Sequence, residues 1–312
     1  MNSLFGLVGN TPLFEIVDLL PTKQIQIFAK LEMYNPTASV KARAAAHILQ
    51  KAEREGKIQK GSILSDASSG NTGIAYAALA ATKGYYLKLC LPSNVNRERK
   101  SLLEAYGVDC IFTDPLEGSD GAIQKARELA KQNPDWFYCD QYSNDANWLA
   151  HYERTGPEIW DQSQGKVTHF VSSLGTSGTF VGCSRYLKEI SKGKVRCYSV
   201  EPDSPFHGLE GMKHMGSAMV PPIYDPSLAD RALEAPTEES FALIRKVART
   251  QGLLIGPSCA AALYGAIEIA QELHTNDEKG CIVVIFPDSG ERYLSEPHIW
   301  QDMEPSEESE ST

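Results

Sequence analysis

Short apolar runs alternate with helix-length segments along almost the whole chain, and this alternation constrains the fold more than any other feature. A run of about four to eight apolar residues suits a buried strand and is too short for a helix. Such runs fall at residues 25–30, 62–65, 86–91, 109–112, 168–172, 195–200 and 281–286. Between them the pattern predicts helices over 42–55, 72–83, 97–106, 120–131, 151–160, 179–190, 238–251 and 260–273. Strands separated by helices in this way predict an α/β protein with largely parallel sheets. Residues 202–230 form the longest stretch without periodicity, and a long irregular loop in a compact domain is usually functional.

The 312 residues leave room for roughly two domains. A hydrophobic share of 42% with 22% charged residues is ordinary for a globular protein. Forty acidic against 30 basic residues, net −10, argue against a nucleic-acid binder, which would carry a basic stripe. The segment 302–310 is acidic and reads as a solvated tail. Seven cysteines, an odd number without a Cys-x-x-Cys pair, suggest neither a disulfide framework nor a zinc knuckle. No His/Asp/Glu spacing points to a metal. The N-terminal residues lack a basic segment followed by an apolar core, and no apolar run reaches the ~18 residues of a membrane span. A cytoplasmic location, without nucleic acid or membrane partners, is therefore expected.

Four polar segments interrupt the pattern: Asn35-Pro36-Thr37-Ala38-Ser39-Val40-Lys41, Ser68-Ser69-Gly70-Asn71-Thr72-Gly73, Gly175-Thr176-Ser177-Gly178-Thr179 and Gly256-Pro257-Ser258. Lys41 follows an Asn-Pro turn at a predicted helix start, where the helix dipole disfavours its charge. Gly175–Thr179 joins an apolar strand to a helix. Backbone N–H groups at a helix N-terminus bind anions, and glycines let that backbone come close. The Gly-Lys-Ser/Thr ending of a nucleotide P-loop is absent. Ser68–Gly73 reads as a polar turn capping the next helix, and Ser258 reads as a helix N-cap.

In this order the four segments resemble the cysteine synthase branch of the pyridoxal-phosphate β-eliminating enzymes, of fold type II. The resemblance runs from Gly9-Asn10-Thr11-Pro12-Leu13 to Pro287-Asp288-Ser289-Gly290-Glu291-Arg292-Tyr293-Leu294-Ser295. It implies two doubly wound domains, tryptophan synthase β-like: a smaller mobile one over 36–145, a larger one over 1–35 plus 146–300, and a tail over 301–312. Pyridoxal 5'-phosphate would lie in the cleft between them.

The same resemblance implies the site. Lys41 would hold the cofactor covalently and act as general base. Gly175, Thr176, Ser177, Gly178 and Thr179 would form the phosphate cup. Ser258 would hydrogen-bond the pyridine nitrogen, with Ser289 as the rival for that contact, and Asn71 would bond the phenolic oxygen. Ser68, Ser69, Gly70, Thr72 and Gln141 would hold the substrate carboxylate. Lys213 falls where relatives that use O-phosphoserine place a cation, with His207 or His214 beside it. Ala42 stands where many relatives carry aspartate, and Cys259-Ala260-Ala261 where many read Ser-Gly-Ala.

The implied reaction is β-replacement on O-acetyl-L-serine or O-phospho-L-serine by sulfide, through an α-aminoacrylate, to give L-cysteine. The family also contains β-cyanoalanine, cystathionine and diaminopropionate synthases. A weakly active paralogue used as a binding partner is a further reading. A homodimer is implied, as is a cleft that accepts the C-terminal peptide of a serine acetyltransferase. The lone histidines His47, His151 and His169 read as ordinary polar residues.

Overall fold

The computed structural model describes residues 3–19, 24–68 and 70–301. Ser69 and the acidic segment 302–312 lie outside the described residues. The strands in chain order are β1 (Leu13–Ile16), β2 (Ile25–Leu31), β3 (Ile63–Ala67), β4 (Tyr86–Pro92) and β5 (Asp109–Thr113). They continue with β6 (Phe137–Tyr138), β7 (His169–Ser173), β8 (Arg196–Pro202), β9 (Arg231–Ala235) and β10 (Gly280–Phe286). The helices are α1 (Lys41–Arg54), α2 (Asn71–Lys83), α3 (Arg97–Ala105), α4 (Gly118–Gln132) and α5 (Ala146–Ala150). They end with α6 (Gly156–Gln162), α7 (Gly178–Ile190), α8 (Thr237–Gln251), α9 (Pro257–Thr275) and α10 (Pro297–Trp300).

The strands form two sheets, ordered β1-β2-β10-β7-β8-β9 and β5-β4-β3-β6. All their pairings are parallel except β1 with β2. β10 lies inside the larger sheet and every one of its residues is buried, as a strand covered on both faces must be. Successive side chains point to opposite faces of a strand. Accordingly Ile282 and Val284 join one core with Val200, Phe241 and Ala262. Val283 and Ile285 join another with Phe170, Phe180 and Val181. Helices α8 and α9 supply the first core and α7 the second. Around the smaller sheet, α1 and α2 cover one face through Leu49, Ile74, Leu64 and Leu89. Helix α4 covers the other through Ala122, Ile123 and Ala126 against Ala67 and Cys90.

The predicted strands all form, with ends shifted by a residue or two, but β1, β6 and β9 carry no signal strong enough to predict them. β6 has two residues, and β9, Arg-Ala-Leu-Glu-Ala, is an edge strand with three exposed positions and no β-branched residue. One helix departs from expectation. In place of a helix over 151–160, the chain enters α5 at Ala146 and makes one wide π turn over His151–Thr155 before α6. Residues 203–230 are irregular apart from a short turn at Pro226–Leu228, as read from the sequence. Among the described residues no helix is long and apolar enough to cross a membrane.

A buried ionic cluster sits beneath the start of α1. Arg43 bonds the Glu32 carboxylate at 2.6 Å and Glu158 at 2.6 Å, and Lys30 bonds Glu158 at 2.7 Å. Burial pushes the Glu158 carboxyl up, but Arg43 and Lys30 more than offset this and leave it at about 2. The cluster fastens α1 to β2 and α6 two residues from Lys41.

Candidate active site

The carboxyl ends of β3, β7 and β10 open towards one cleft, the usual ligand position of a parallel α/β sheet. The loops after those strands and the starts of α1 and α9 line it. Lys41 is the first residue of α1. Its amine lines the cleft and makes no hydrogen bond or ion pair among the described residues. Burial holds the Lys41 ammonium below the ordinary lysine range, against the opposing pull of Asp288 and Glu32.

Ser258 is buried, lines the cleft, and makes no hydrogen bond among the described residues. It is not an N-cap. Gly256 takes that position and Pro257 the first helical one, so Ser258 sits inside the first turn of α9. Ser289 does not line the cleft; its hydroxyl accepts from the Glu291 N–H and caps a short turn.

Residues 174–177 carry the chain from β7 into α7. Gly175 passes so close to the neighbouring loop that a Cβ would stand 2.4 Å from the Gly211 carbonyl oxygen. At Gly178 a Cβ would meet the Asn147 side chain at 2.1 Å. Ser177 adopts a left-handed φ of 66° ahead of α7, and its buried hydroxyl has no hydrogen-bond partner among the described residues. Thr176 accepts from Asn147 Nδ2 at 3.1 Å. Thr179 lies 3.3 Å from Nε2 of the buried His151, which the wide π turn brings there. Gly175, Thr176, Ser177 and Thr179 line the cleft; Gly178 starts the helix behind them.

Asn71 is the first residue of α2. Its Nδ2 donates to Asp288 Oδ2 at 2.6 Å, and its Oδ1 accepts from Arg292. Ser68 Oγ accepts from the Gly73 N–H at 2.9 Å. Thr72 donates to Gln141 Oε1 at 2.7 Å, and Gln141 Nε2 donates to the Ala67 carbonyl at 2.6 Å. Both ends of the Gln141 amide are therefore engaged in holding the loop after β3. Ser68, Gly70, Asn71, Thr72 and Gln141 all line the cleft.

The far wall is built of opposed charges. Lys213 Nζ donates to Asp120 Oδ1 at 2.7 Å and to Ser119 Oγ at 3.3 Å. Arg99 pairs with Glu210 and stacks over the Tyr293 ring. His207 and His214 do not line the cleft.

A family model described as pyridoxal-phosphate dependent enzyme matches residues 4–288. The chain belongs to that family. Cysteine synthase of Aquifex aeolicus is 44% identical over 297 residues, spanning 94% of this chain and 90% of that protein. Cysteine synthase B of Escherichia coli is 38% identical, with 95% of each chain covered. The crystal structure of a cysteine synthase from Entamoeba histolytica superposes with a TM-score of 0.90 at 32% identity, covering 98% of this chain and 93% of that one.

The residues present fit the pyridoxal phosphate that this family uses. The Ser177 hydroxyl, without a hydrogen-bond partner among the described residues, and the N-terminus of α7 suit phosphate oxygens; the Ser258 hydroxyl, likewise unbonded among them, suits a ring nitrogen, and Lys41 offers an amine of weakened basicity. The sequence reading passed over Asp288, Arg292, Arg99, Glu210 and Asn147. Of these, Asp288 and Arg292 lie in the segment 287–295 that carries the resemblance. The others gave no signal, because their importance lies in partners remote in the chain.

Proposed function

We propose that the protein is a cysteine synthase, replacing the β-substituent of an activated L-serine with sulfide. What supports this most is that Lys41 and Ser258, whose side chains make no hydrogen bond among the described residues, share a cleft with the anion-binding start of α7. Pyridoxal phosphate, when bound, supplies an electron sink for the pair released as the substrate α-proton leaves. Lys41 Nζ takes that proton and returns one after sulfide has added; burial disfavours the charged form of the amine, in the direction the task requires. Gly175–Thr179 hold the phosphate and Ser258 the ring nitrogen. A neutral hydroxyl there leaves the ring a weaker sink than a carboxylate would, which favours elimination over transamination. The N–H groups and hydroxyls of Ser68–Thr72 receive the substrate carboxylate.

The reading includes a moving part. The unit around the smaller sheet, residues 36–145, closes on the larger and excludes water from the reacting atoms. A homodimer working in the cytoplasm, able to take an acetyltransferase C-terminal peptide into its cleft, completes the proposal.

The test is cysteine formation from O-acetyl-L-serine and sulfide by the cofactor-loaded protein, compared with Lys41→Ala. Wild type should turn over and lose its visible absorbance signature on adding the donor alone, regaining it with sulfide. The variant should do neither. Turnover by Lys41→Ala at the wild-type rate would refute the assignment.

A further inference from the structure

Both cations on the far wall of the cleft are neutralised, one by a carboxylate from across the cleft. Lys213 belongs to the irregular loop after β8, and its backbone N–H is fixed to the Leu174 carbonyl at 2.8 Å, beside the turn into α7. Its side chain is only 7% exposed. Asp120 reaches it from the first turn of α4, which packs on the smaller sheet. The second carboxylate oxygen, Oδ2, accepts the Met219 N–H at 2.9 Å, so Asp120 holds the loop at two points. Burial raises the Asp120 carboxyl, but Lys213 and Met219 outweigh it and hold the group below the ordinary carboxylate range. Arg99, the other cation there, faces Glu210.

We propose that Asp120 sets the choice of donor, cancelling Lys213 so that the cleft accepts a neutral acyl ester and turns away a phosphate ester. The proposal rests on the cysteine synthase reading. A departing acyloxy group carries no charge before its C–O bond breaks, and it leaves with the bonding electron pair as a carboxylate. A phosphate monoester arrives with a charge of about −2 and needs unpaired cationic donors. Here Glu210 and Asp120 would repel it, and Lys213 is already committed.

The experiment compares the holoenzyme with Asp120→Asn, Asp120→Ala and the double variant Asp120→Asn/Lys213→Met. Each is assayed with O-acetyl-L-serine and O-phospho-L-serine, and inorganic phosphate binding is measured by calorimetry. Freeing Lys213 should shift the kcat/KM ratio towards the phosphate donor by about tenfold or more and tighten phosphate binding by a similar factor. The double variant should restore the wild-type ratio. An unchanged ratio, or an equal loss with both donors, would show that the pair merely latches the loop and would overturn the proposal. So would a gain that survives loss of Lys213. If wild type converts neither donor, it is the cysteine synthase reading that fails, and phosphate binding by the Asp120 variants still decides the role of this pair.

Discussion

Asn71 Nδ2 donates to Asp288 Oδ2 at 2.6 Å, joining the loop after β3 to the loop after β10 and so one sheet to the other. The same carboxylate oxygen accepts from the Tyr293 hydroxyl at 2.7 Å, and Arg292 bonds Asn71 Oδ1 and the Thr37 carbonyl. Asp288 also pairs by its backbone with Ser39, two residues before Lys41. One carboxylate thus orients an asparagine and a tyrosine of the cleft wall, and its backbone fixes the approach to Lys41.

Asp288→Ala should lower cofactor affinity by about tenfold or more, because it leaves the Asn71 amide and the Tyr293 hydroxyl without their acceptor. Asp288→Asn, which keeps an oxygen in place, should retain more. Cofactor remaining after dialysis, read from visible absorbance, checks this. Equal retention by both variants and wild type would contradict it.

Gly175→Ala should damage the cleft more than its size suggests. The new Cβ would lie 2.4 Å from the Gly211 carbonyl oxygen, so one of two backbone segments must move by tenths of an ångström or more. Cofactor binding should weaken at least about tenfold. Gly6→Ala, where a Cβ meets nothing within 4 Å among the described residues, is the control and should bind as wild type does.

Much of this was legible in the chain, for reasons that differ by element. Gly280–Phe286 is buried on both faces, so its apolar run announced it; Arg231–Ala235 is an edge strand whose exposed residues hide it. Gly175–Thr179 could be read because glycine and hydroxyl residues between strand and helix are a local pattern. The Lys213–Asp120 pair could not, since its partners are far apart in sequence and nothing near Lys213 marks it as neutralised. The π turn that turns His151 towards Thr179 was equally silent, because its sequence is ordinary helix former.

Acid should unfold the protein partly through Glu158. Its folded pKa of about 2 lies below its unfolded value, so the stability it contributes is full above about pH 4.5 and is lost as pH falls towards 2. Glu158→Gln should lower the melting temperature at neutral pH and flatten its acid dependence over this window. A variant with the wild-type acid profile would exclude the cluster as the source.

Asp66 predicts the opposite limb. Burial pushes its carboxyl up to about 8, so the folded chain retains a proton that the unfolded chain gives up near pH 4. Stability from this group therefore declines as pH rises from about 4 and stops declining above about 8. Asp66→Asn should remove that decline. Thermal melts of both proteins at about pH 6 and pH 9 would reveal it, and parallel curves would contradict it.

The strand order has a consequence for how the molecule comes into being. β2, made early in synthesis, takes β10 as its parallel neighbour, and β10 emerges only after β3 to β9. The smaller sheet draws on residues 63–138 alone and can assemble while the ribosome is still at work. The larger sheet must wait with an unpaired strand edge exposed, since closing so long a loop precedes any gain from pairing. Nascent chains stalled before Gly280 should therefore call on chaperones that the released protein does not need.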